Sequence, residues 1–512
     1  MKRIIALIMS IFIVILCSSC NNDNENSDNQ NEANNNIDSK QTEYLTLPFC
    51  ANDLLNPYTA KTKENQEIST LLFDPLVFID GNYNVEYVLA TSISCDGNTC
   101  TIELNNYNCS DGKMITSEDI TYSIKQIFNN KGLYYDQLKN IYSYKAVDAN
   151  TVEIKLEKYD PYFINNLDFP IICQESASLK DDNDRNIPPV GYGKYTLVND
   201  NGNYYLEANE NYHKKIAGKR INLLNCPDDE SLKHAISIGE IDCIYSDLSN
   251  SYLPNLSGTR FKVNLNNLVF MGINSKKDYL NNAEFRHILN CLIDRQKIVD
   301  SSYLGYAECA TGLFNPNWKI ANDFSTFDTT VNLEKSVAYF NQLGYNEKDN
   351  EGYYLNKKGK RFKFKLIYNS DNISRSSAAS IICRTMIKNG IEIEPVGLEY
   401  KEYVKCLKSG DYDLYIGETR ISQSMNISEM IENDNVFYGV SENSKFKTTF
   451  ADFYSGNGDL GLAINAFNDE LPFIPICYRY GLFICSNSLS DFSSLVPSAN
   501  CVYNGIENTY IK

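Results

Sequence analysis

The chain has 512 residues, of which 43% are hydrophobic, and a formal net charge of −18. This length and composition are typical of a soluble globular protein with room for two or three lobes. The acidic balance argues against nucleic acid as a partner, because nucleic-acid binders need a basic surface that displaces counterions.

The first twenty residues have the pattern of an export signal. A short basic start precedes an apolar run over 4–16, which has the length of a signal-peptide core and is shorter than the ~20 residues that span a bilayer. The run ends in Leu16-Cys17-Ser18-Ser19-Cys20, and small residues before a cysteine resemble the lipobox of bacterial lipoproteins, although that motif usually has Leu in place of Cys17. We expect a signal peptide and lipobox over 1–20 and lipidation of Cys20, with a retained signal anchor as the alternative.

Most residues from 21 to 43 are Asn, Asp, Glu, Ser or Gln. Such a segment cannot bury enough apolar surface to offset the entropy lost on ordering. The sequence therefore predicts a disordered tether between Cys20 and a globular body. No later segment has ~18 consecutive apolar residues, so no further membrane span is predicted.

A β-hairpin is predicted around the turn Asp96-Gly97-Asn98-Thr99. Alternating apolar residues on both sides of the turn would place Cys95 opposite Cys100. Export permits a disulfide between them, but separate buried thiols are the favoured interpretation. The other cysteine spacings are irregular and resemble no disulfide framework.

Three helices have clear signals at their ends. Thr116 and Asp119 have the spacing of a capping box, and apolar residues then recur at helical intervals. A second helix begins near Asn281 with a stripe of apolar residues, and a third runs from Asn332 to a stop at Gly344.

The most informative stretch is 361–418. Strand patterns at 362–368, 391–398 and 412–416 alternate with helix patterns at 374–388 and 400–407. This β-α-β-α-β order implies parallel strands with right-handed crossovers. Because ligands of open α/β sheets bind beyond the carboxyl ends of the strands, we expect a site near Tyr368-Asn369 and Gly417-Glu418-Thr419-Arg420.

An enzymatic activity is not expected. The chain contains no G-x-S-x-G and no H-E-x-x-H motif, and its three histidines (His213, His234 and His287) are far apart in sequence. This argues against a Ser-His hydrolase and against a dedicated metal site. We therefore expect neither a catalytic residue, nor a metal, nor a cofactor.

Short motifs along the chain resemble, in order, those of one protein family. They are FDPLV (73–77), TIELNNYNCSDGKMITSEDITYSI (101–124), PVGYGKY (189–195), EANENY (207–212), GEIDCIY (239–245), FRHILNCLIDRQKIV (285–299), GDYDLYIGE (410–418) and LPFIPIC (471–477). Each motif alone is weak, but their order across 44–512 resembles that of the family 5 extracellular solute-binding proteins, which serve oligopeptide, dipeptide and nickel importers.

The resemblance implies an α/β, bilobal, periplasmic-binding-protein-like fold (type II, cluster C) with an additional lobe. Lobe I would comprise 44–70, 186–266 and 480–512. The extra lobe would comprise 71–185, and the ligand-binding lobe opposite lobe I would comprise 267–479. The two glycines of PVGYGKY, Gly191 and Gly193, would be structural and supply backbone freedom to a turn.

The resemblance also implies the function. The protein would be the substrate-binding lipoprotein of an ABC importer, which closes on a small molecule or peptide and delivers it to permease subunits with an associated ATPase. It would act as a monomer at the extracellular face of the cell membrane, or on the periplasmic side if an outer membrane is present. The alternative is a ligand-sensing surface receptor of the same fold that is coupled to signalling.

Ligand contacts are implied where the GDYD strand ends. Family members carry a Trp or similar group there, followed in peptide binders by a carboxylate; this chain has Glu418, Thr419 and Arg420, and no aspartate at the family's position. Arg420 would offer a planar fork to a carboxylate, phosphate or sulfonate, or would only pair with Glu418 or another acid. Glu418 would hold an amine or be structural. The departure favours a ligand with an anionic group, while peptide remains the family default.

Further contacts are implied at positions that approach the ligand in similar proteins. They are Asn56, Tyr58 and Thr59 in the early N-P segment, Trp318 in its loop, Tyr368 at a strand end, and Tyr478 and Arg479 after the late Pro475 strand. For each of them, packing in the core or at the surface is an equally good interpretation.

Overall fold

A computed structural model describes residues 44–176, 188–249, 253–432, 439–441 and 443–512. The predicted signal peptide and lipobox, the tether 21–43 and Cys20 lie outside the described residues. In the described part of the chain, no helix is long and apolar enough to cross a membrane.

The strands are numbered in chain order. They are β1 Thr46–Phe49, β2 Val77–Ile79, β3 Val85–Tyr87, β4 Ala90–Asp96, β5 Thr99–Leu104, β6 Ile141–Ala146, β7 Thr151–Leu156, β8 Tyr195–Asp200, β9 Asn203–Ala208, β10 Arg220–Asn225, β11 Cys243–Ser246, β12 Gly258–Ile273, β13 Ala307–Cys309, β14 Lys363–Asn369, β15 Glu392–Leu398, β16 Leu414–Arg420, β17 Phe473–Ser486, β18 Leu489–Ser490 and β19 Tyr510–Ile511.

The helices are numbered in the same way. They are α1 Lys63–Leu72, α2 Ser117–Asn130, α3 Tyr135–Leu138, α4 Asp229–Ser237, α5 Ala283–Cys291, α6 Arg295–Ser302, α7 Lys319–Asn322, α8 Leu333–Gln342, α9 Ile373–Lys388, α10 Tyr400–Ser409, α11 Ser428–Glu432, α12 Lys445–Tyr454 and α13 Leu460–Glu470.

Two four-stranded sheets lie outside the central one, and the pairs β2-β3 and β18-β19 form two further small sheets. The first has the order β1-β10-β9-β8, and the second has the order β4-β5-β7-β6 and is antiparallel throughout. The predicted hairpin is β4–β5, where Cys95 and Cys100 are paired and joined as a disulfide, the alternative that the sequence favoured less. Cys95 is exposed, so the expectation of two separate buried thiols is wrong.

The central sheet has the order β11-β17-β12-β16-β14-β15, and β13 also pairs with β17. Strands β12 and β17 pair along almost their whole length, from Gly258 opposite Ser486 to Gly272 opposite Phe473. Both strands continue through the predicted lobe boundaries at 266/267 and 479/480. The lobe boundaries therefore fall within a paired ribbon, and their positions stay a prediction.

The ribbon is interrupted by a register shift between Asn264 and Asn267. Asn266 has a positive φ of 54° there, and its side-chain amide donates to the carbonyl oxygens of Ile421 (3.2 Å) and Ser422 (3.1 Å). The Asn264 amide donates to the Tyr83 hydroxyl at 3.1 Å. Because both side-chain amides are hydrogen-bonded, burying them at the register shift costs little free energy of desolvation. The bonds from Asn266 also hold the segment that follows β16 in place.

The predicted β-α-β-α-β segment is confirmed. Strands β14 and β15 are parallel, and β14 is also parallel to β16. Helix α9 buries Ala378, Ile382 and Met386, as its apolar spacing predicts. The capping box of Thr116 and Asp119 is present at the start of α2.

Gly191 and Gly193 are structural for a reason other than the predicted one. Neither has a positive φ. A Cβ on Gly193 would lie 2.3 Å from the carbonyl carbon of Leu72, and one on Gly191 would lie 2.1 Å from the Leu72 carbonyl oxygen. These positions need glycine because the backbone at the end of α1 approaches so closely, and no unusual turn conformation is involved.

Candidate ligand-binding cleft

The end of β16 borders a cleft of about 570 Å³. Thr419 and Arg420 line one side of it together with the segment 422–428, and residues of 133–140 and 157–166 line the other. The strand-end rule therefore leads to a cavity in the described chain. The cleft lies between the predicted extra lobe and the predicted ligand-binding lobe.

Arg420 is exposed and makes no ion pair with any described residue. One guanidinium nitrogen donates to the Asn500 side-chain oxygen at 3.1 Å, and the Asn500 amide donates to Asp168 at 2.6 Å. Burial raises the pKa of Asp168 to about 6, although the Asn500 hydrogen bond and the charge of Arg420 oppose this shift. Most donors of the Arg420 fork are therefore available to a ligand.

Asp160 is the acidic group set most deeply into the wall of this cleft, with only 2% of its surface exposed. Its carboxylate accepts hydrogen bonds from the Ser424 hydroxyl at 2.9 Å and from the Tyr162 backbone N–H at 3.1 Å. Burial raises the pKa of Asp160 to about 6, and no described cation pairs with it. The cleft thus presents a carboxylate and a guanidinium that do not neutralise each other.

Glu418 faces a different environment from its neighbour Arg420. Its carboxylate accepts hydrogen bonds from Arg479 at 2.5 Å, Arg375 at 2.9 Å and Asn267 at 3.0 Å. Burial opposes its ionisation, but the charges of Arg479 and Arg375 outweigh burial and hold the pKa of Glu418 below its ordinary value. Both oxygens of Glu418 are occupied by these donors, as the structural alternative requires, and its contact with a ligand stays a prediction.

Among the described residues, the charge cluster of Glu418, Arg375 and Arg479 has one more cation than anions. Arg479 also donates to the Asp247 carbonyl oxygen, which ties the cluster to the segment after β11. Among the described residues, neither the Arg375 Nε nor the buried hydroxyl of Tyr303 has a hydrogen-bond partner. Sequence reasoning missed Arg375 and Tyr303, because they lie on α9 and after α6, far from the GDYD motif.

The early N-P residues lie at differing depths. The Tyr58 side chain is buried, its hydroxyl donates to the Pro170 carbonyl oxygen, and its ring packs edge-on against Tyr134 at 6.4 Å. The Asn56 side chain accepts a hydrogen bond from the Tyr58 backbone N–H at 2.9 Å, and Thr59 is exposed. In this structure Tyr58 fixes the loop, and none of the three residues borders the cleft described above.

The remaining aromatic candidates pack within the protein. Trp318 is buried and makes edge-on ring contacts with Tyr162 at 5.1 Å and Phe314 at 5.2 Å. Tyr478 is buried and its hydroxyl donates to a backbone carbonyl. Tyr368 is half-buried next to Gly397 of β15. Of the predicted contacts, only Thr419 and Arg420 line this cleft, while Glu418 and Arg479 form the adjacent cluster.

Comparison with known proteins decides the family. The profile of the bacterial extracellular solute-binding proteins, family 5 (middle region), matches residues 84–432, which is more than half of the chain. The chain belongs to family 5 of these solute-binding proteins. The family resemblance predicted from the motifs is therefore confirmed.

Curated relatives of this family 5 chain include two proteins of Bacillus subtilis (strain 168). The oligopeptide-binding protein AppA is 25% identical over 392 residues, which cover 70% of each chain. The oligopeptide-binding protein OppA is 24% identical over 505 residues, which cover 90% of each chain.

Solved structures show the same fold. A nickel ABC transporter protein from Bacillus halodurans has a TM-score of 0.72 at 20% identity and covers 92% of this chain and 100% of its own. An ABC transporter substrate-binding protein from Sinorhizobium meliloti has a TM-score of 0.70 at 18% identity, with coverage of 92% and 100%. The predicted bilobal α/β fold class with an additional lobe is confirmed.

No group of three or more potential metal ligands occurs in the part of the chain that the structure describes. Family 5 is a family of solute-binding proteins and not of enzymes. The absence of a metal, of a cofactor and of catalysis in this chain stays a prediction.

Proposed function

We propose that the protein is the substrate-binding lipoprotein of an ABC importer, and that it holds a small solute between its lobes and passes it unchanged to a permease with its ATPase. The observation that supports this proposal most strongly is the cleft at the end of β16, in a chain of family 5, with the unpaired Arg420 on its wall. Closure of the lobes on the solute would distinguish the loaded protein from the empty one.

The proposed ligand is a peptide or a peptide-like molecule with an anionic group. A guanidinium fork binds a carboxylate through two parallel hydrogen bonds, and Arg420 has the free donors for this. The unpaired carboxylate of Asp160 lies in the wall of the same cleft and favours a ligand that also carries a cationic group. The names of the two oligopeptide-binding relatives support this ligand class.

The proposed location is the extracellular face of the bacterial membrane, or its periplasmic side where an outer membrane exists. Lipidation of Cys20 would anchor the protein, and the polar segment 21–43 would tether the lobes to the anchor. Residues 44–70, 186–266 and 480–512 would form lobe I, residues 71–185 the extra lobe, and residues 267–479 the lobe opposite lobe I. We propose a monomer, which captures its solute alone and meets the permease afterwards.

A thermal-shift screen tests the solute-binding proposal. The purified full-length protein is heated with di- to hexapeptides, amino acids, sugars and metal chelates. A ligand at 100 times its dissociation constant adds about 2.7 kcal/mol to the free energy of unfolding, which is a clear shift. If peptides stabilise Arg420→Gln as strongly as the wild type, the proposed role of Arg420 is wrong. If no compound in the screen raises the unfolding temperature, the proposal of solute capture is wrong.

Anchoring and delivery are tested in cells. Wild-type protein should take up a labelled fatty acid and sediment with membranes, whereas Cys20→Ala should do neither. Sedimentation of an unlabelled Cys20→Ala protein would instead support a retained signal anchor. Uptake of a stabilising solute should fall in cells that lack the protein, and unchanged uptake would favour the sensing receptor.

A further inference from the structure

Cys243 and Cys485 face each other across strands β11 and β17. They are directly paired in the antiparallel ladder, both are fully buried, and their sulfur atoms are 3.4 Å apart. Opposed residues of antiparallel strands have Cα atoms roughly 4.5–5.5 Å apart, which is within the 4.4–6.8 Å that disulfides span. A small rotation of the side chains is therefore enough to bring the sulfurs to the ~2.05 Å bonding distance.

We propose that Cys243 and Cys485 form a disulfide in the exported protein. Each thiol loses its proton, one bond forms between the two sulfurs, and the two electrons reduce an external disulfide, such as oxidised glutathione, to two thiols. The setting suits this reaction, because family 5 proteins are extracellular and disulfides persist in extracellular proteins. The chain already holds one cross-strand disulfide, between Cys95 and Cys100.

The bond forms while the chain folds, before β11 is covered. Burial raises the pKa of the Cys243 thiol well above its ordinary value, so the reactive thiolate is rare once the sheet is complete. The same burial protects the finished bond, since a reductant cannot reach either sulfur in the folded protein. The proposed disulfide is therefore structural and does not cycle.

Another cysteine pair of β17 provides a matched control. Cys309 of β13 is directly paired with Cys477, so these two residues have the same ladder relationship. The Cys309 thiol, however, donates a weak hydrogen bond to the Gln296 side-chain oxygen at 3.7 Å. Because the Cys309 thiol is directed at Gln296, its sulfur must turn away from this partner before it can bond to Cys477, and we expect this pair to be oxidised less readily than Cys243 and Cys485.

The disulfide would reinforce one edge of the central sheet. Strand β11 lies at the edge of the central sheet, and β17 is its one partner among the described strands. The segment that follows it contains Asp247, whose carbonyl oxygen accepts a hydrogen bond from Arg479 and whose carboxylate pairs with Lys63 at 3.1 Å. A covalent link at the start of β11 would hold these contacts in place next to the Glu418 cluster.

Peptide mapping of the full-length protein tests the proposal. The chain is refolded in buffers with increasing ratios of oxidised to reduced glutathione, then denatured, alkylated without reduction, digested and analysed by mass spectrometry. In the buffers that link Cys95 to Cys100, we expect a linked Cys243–Cys485 peptide from most molecules and alkylated peptides for Cys309 and Cys477. Alkylation of both Cys243 and Cys485 in molecules that carry the Cys95–Cys100 link overturns the proposal.

A stability measurement gives a second test in a background of Cys95→Ala and Cys100→Ala. Oxidatively refolded protein should show a lower Tm when it is reduced in denaturant and refolded with a reductant. The further substitution Cys485→Ala should remove this difference, whereas Cys477→Ala should preserve it. A reductant effect that survives Cys485→Ala also overturns the proposal.

Discussion

Glu418→Gln is the substitution whose effect on the free energy of unfolding follows most directly from the structure. The variant keeps the shape of the side chain but removes the negative charge that bridges Arg479 and Arg375, whose side chains are 7% and 18% exposed. Its amide nitrogen would also turn a donor towards a guanidinium that needs an acceptor. Because removal of one partner from a buried ion pair leaves an uncompensated charge, we expect a loss of about 3–5 kcal/mol in the free energy of unfolding.

The chain offers its own spectroscopic probe for this measurement. Trp318 is the single tryptophan, and it is buried between Tyr162 and Phe314. A urea titration followed by its fluorescence should show the midpoint of Glu418→Gln well below that of the wild type. Glu402→Gln is the control, because its pair with Lys405 has exposed side chains and contributes less than about 1 kcal/mol. A loss below about 1 kcal/mol in Glu418→Gln would refute our reasoning about the cluster.

The same variant has a defined dependence on pH. Because the pKa of Glu418 is lowered in the folded protein, its contribution is fully present above the ordinary value of 4.5 and is lost as the pH falls through the lower folded value. The difference in unfolding free energy between wild type and Glu418→Gln should therefore be largest near neutral pH and shrink in strong acid. A difference that grows below pH 4.5 would contradict the assignment.

Three further predictions concern the cleft and a close backbone contact. Arg420→Gln should weaken a carboxylate ligand by about 10- to 100-fold in titration calorimetry and should weaken the matching neutral amide much less, because a charge-assisted hydrogen bond contributes about 1.5–3 kcal/mol. Burial raises the pKa of Asp160 from 3.8 to about 6, so its ionisation lowers the stability of the folded protein as the pH rises through this window. Between pH 4 and pH 7, the free energy of unfolding of Asp160→Asn should therefore rise relative to that of the wild type by up to ~3 kcal/mol in urea titrations. The absence of this rise would contradict the raised pKa. Gly193→Ala should lower the free energy of unfolding by about 1–3 kcal/mol, because the new Cβ would clash with the backbone of Leu72. Gly81→Ala is the control: its Cβ would meet open space, so its free energy of unfolding should match that of the wild type.

Much of the local structure could be predicted from the sequence. The strands and helices from β14 to β16 follow from hydrophobic periodicity and from breaks at their ends, which are local properties. The long pairing of β12 with β17 could not be predicted in this way, because the paired residues Gly258 and Ser486 lie far apart in the sequence. The reason why position 193 needs glycine could not be predicted either, because it depends on the close approach of the backbone at the end of α1.

The site could be predicted only in part. The rule for parallel strand ends leads to Thr419 and Arg420, which border the cleft. The ion pairs of Glu418 could not be predicted, because its partner Arg375 lies 43 residues away on α9 and its partner Arg479 lies 61 residues away on β17. Asp160 was missed as well, since an isolated aspartate has no motif and only the folded chain brings it to Ser424.

The interruption of the β12–β17 ribbon has a mechanical consequence. A continuous antiparallel ribbon resists bending, whereas a register shift leaves a short stretch without ladder hydrogen bonds that bends at lower cost. The Asn266 amide at this stretch is bonded to the carbonyl oxygens of Ile421 and Ser422, directly after Arg420. Bending of the two long strands at this stretch would displace Asn266 and, through these hydrogen bonds, the segment that directly follows Arg420.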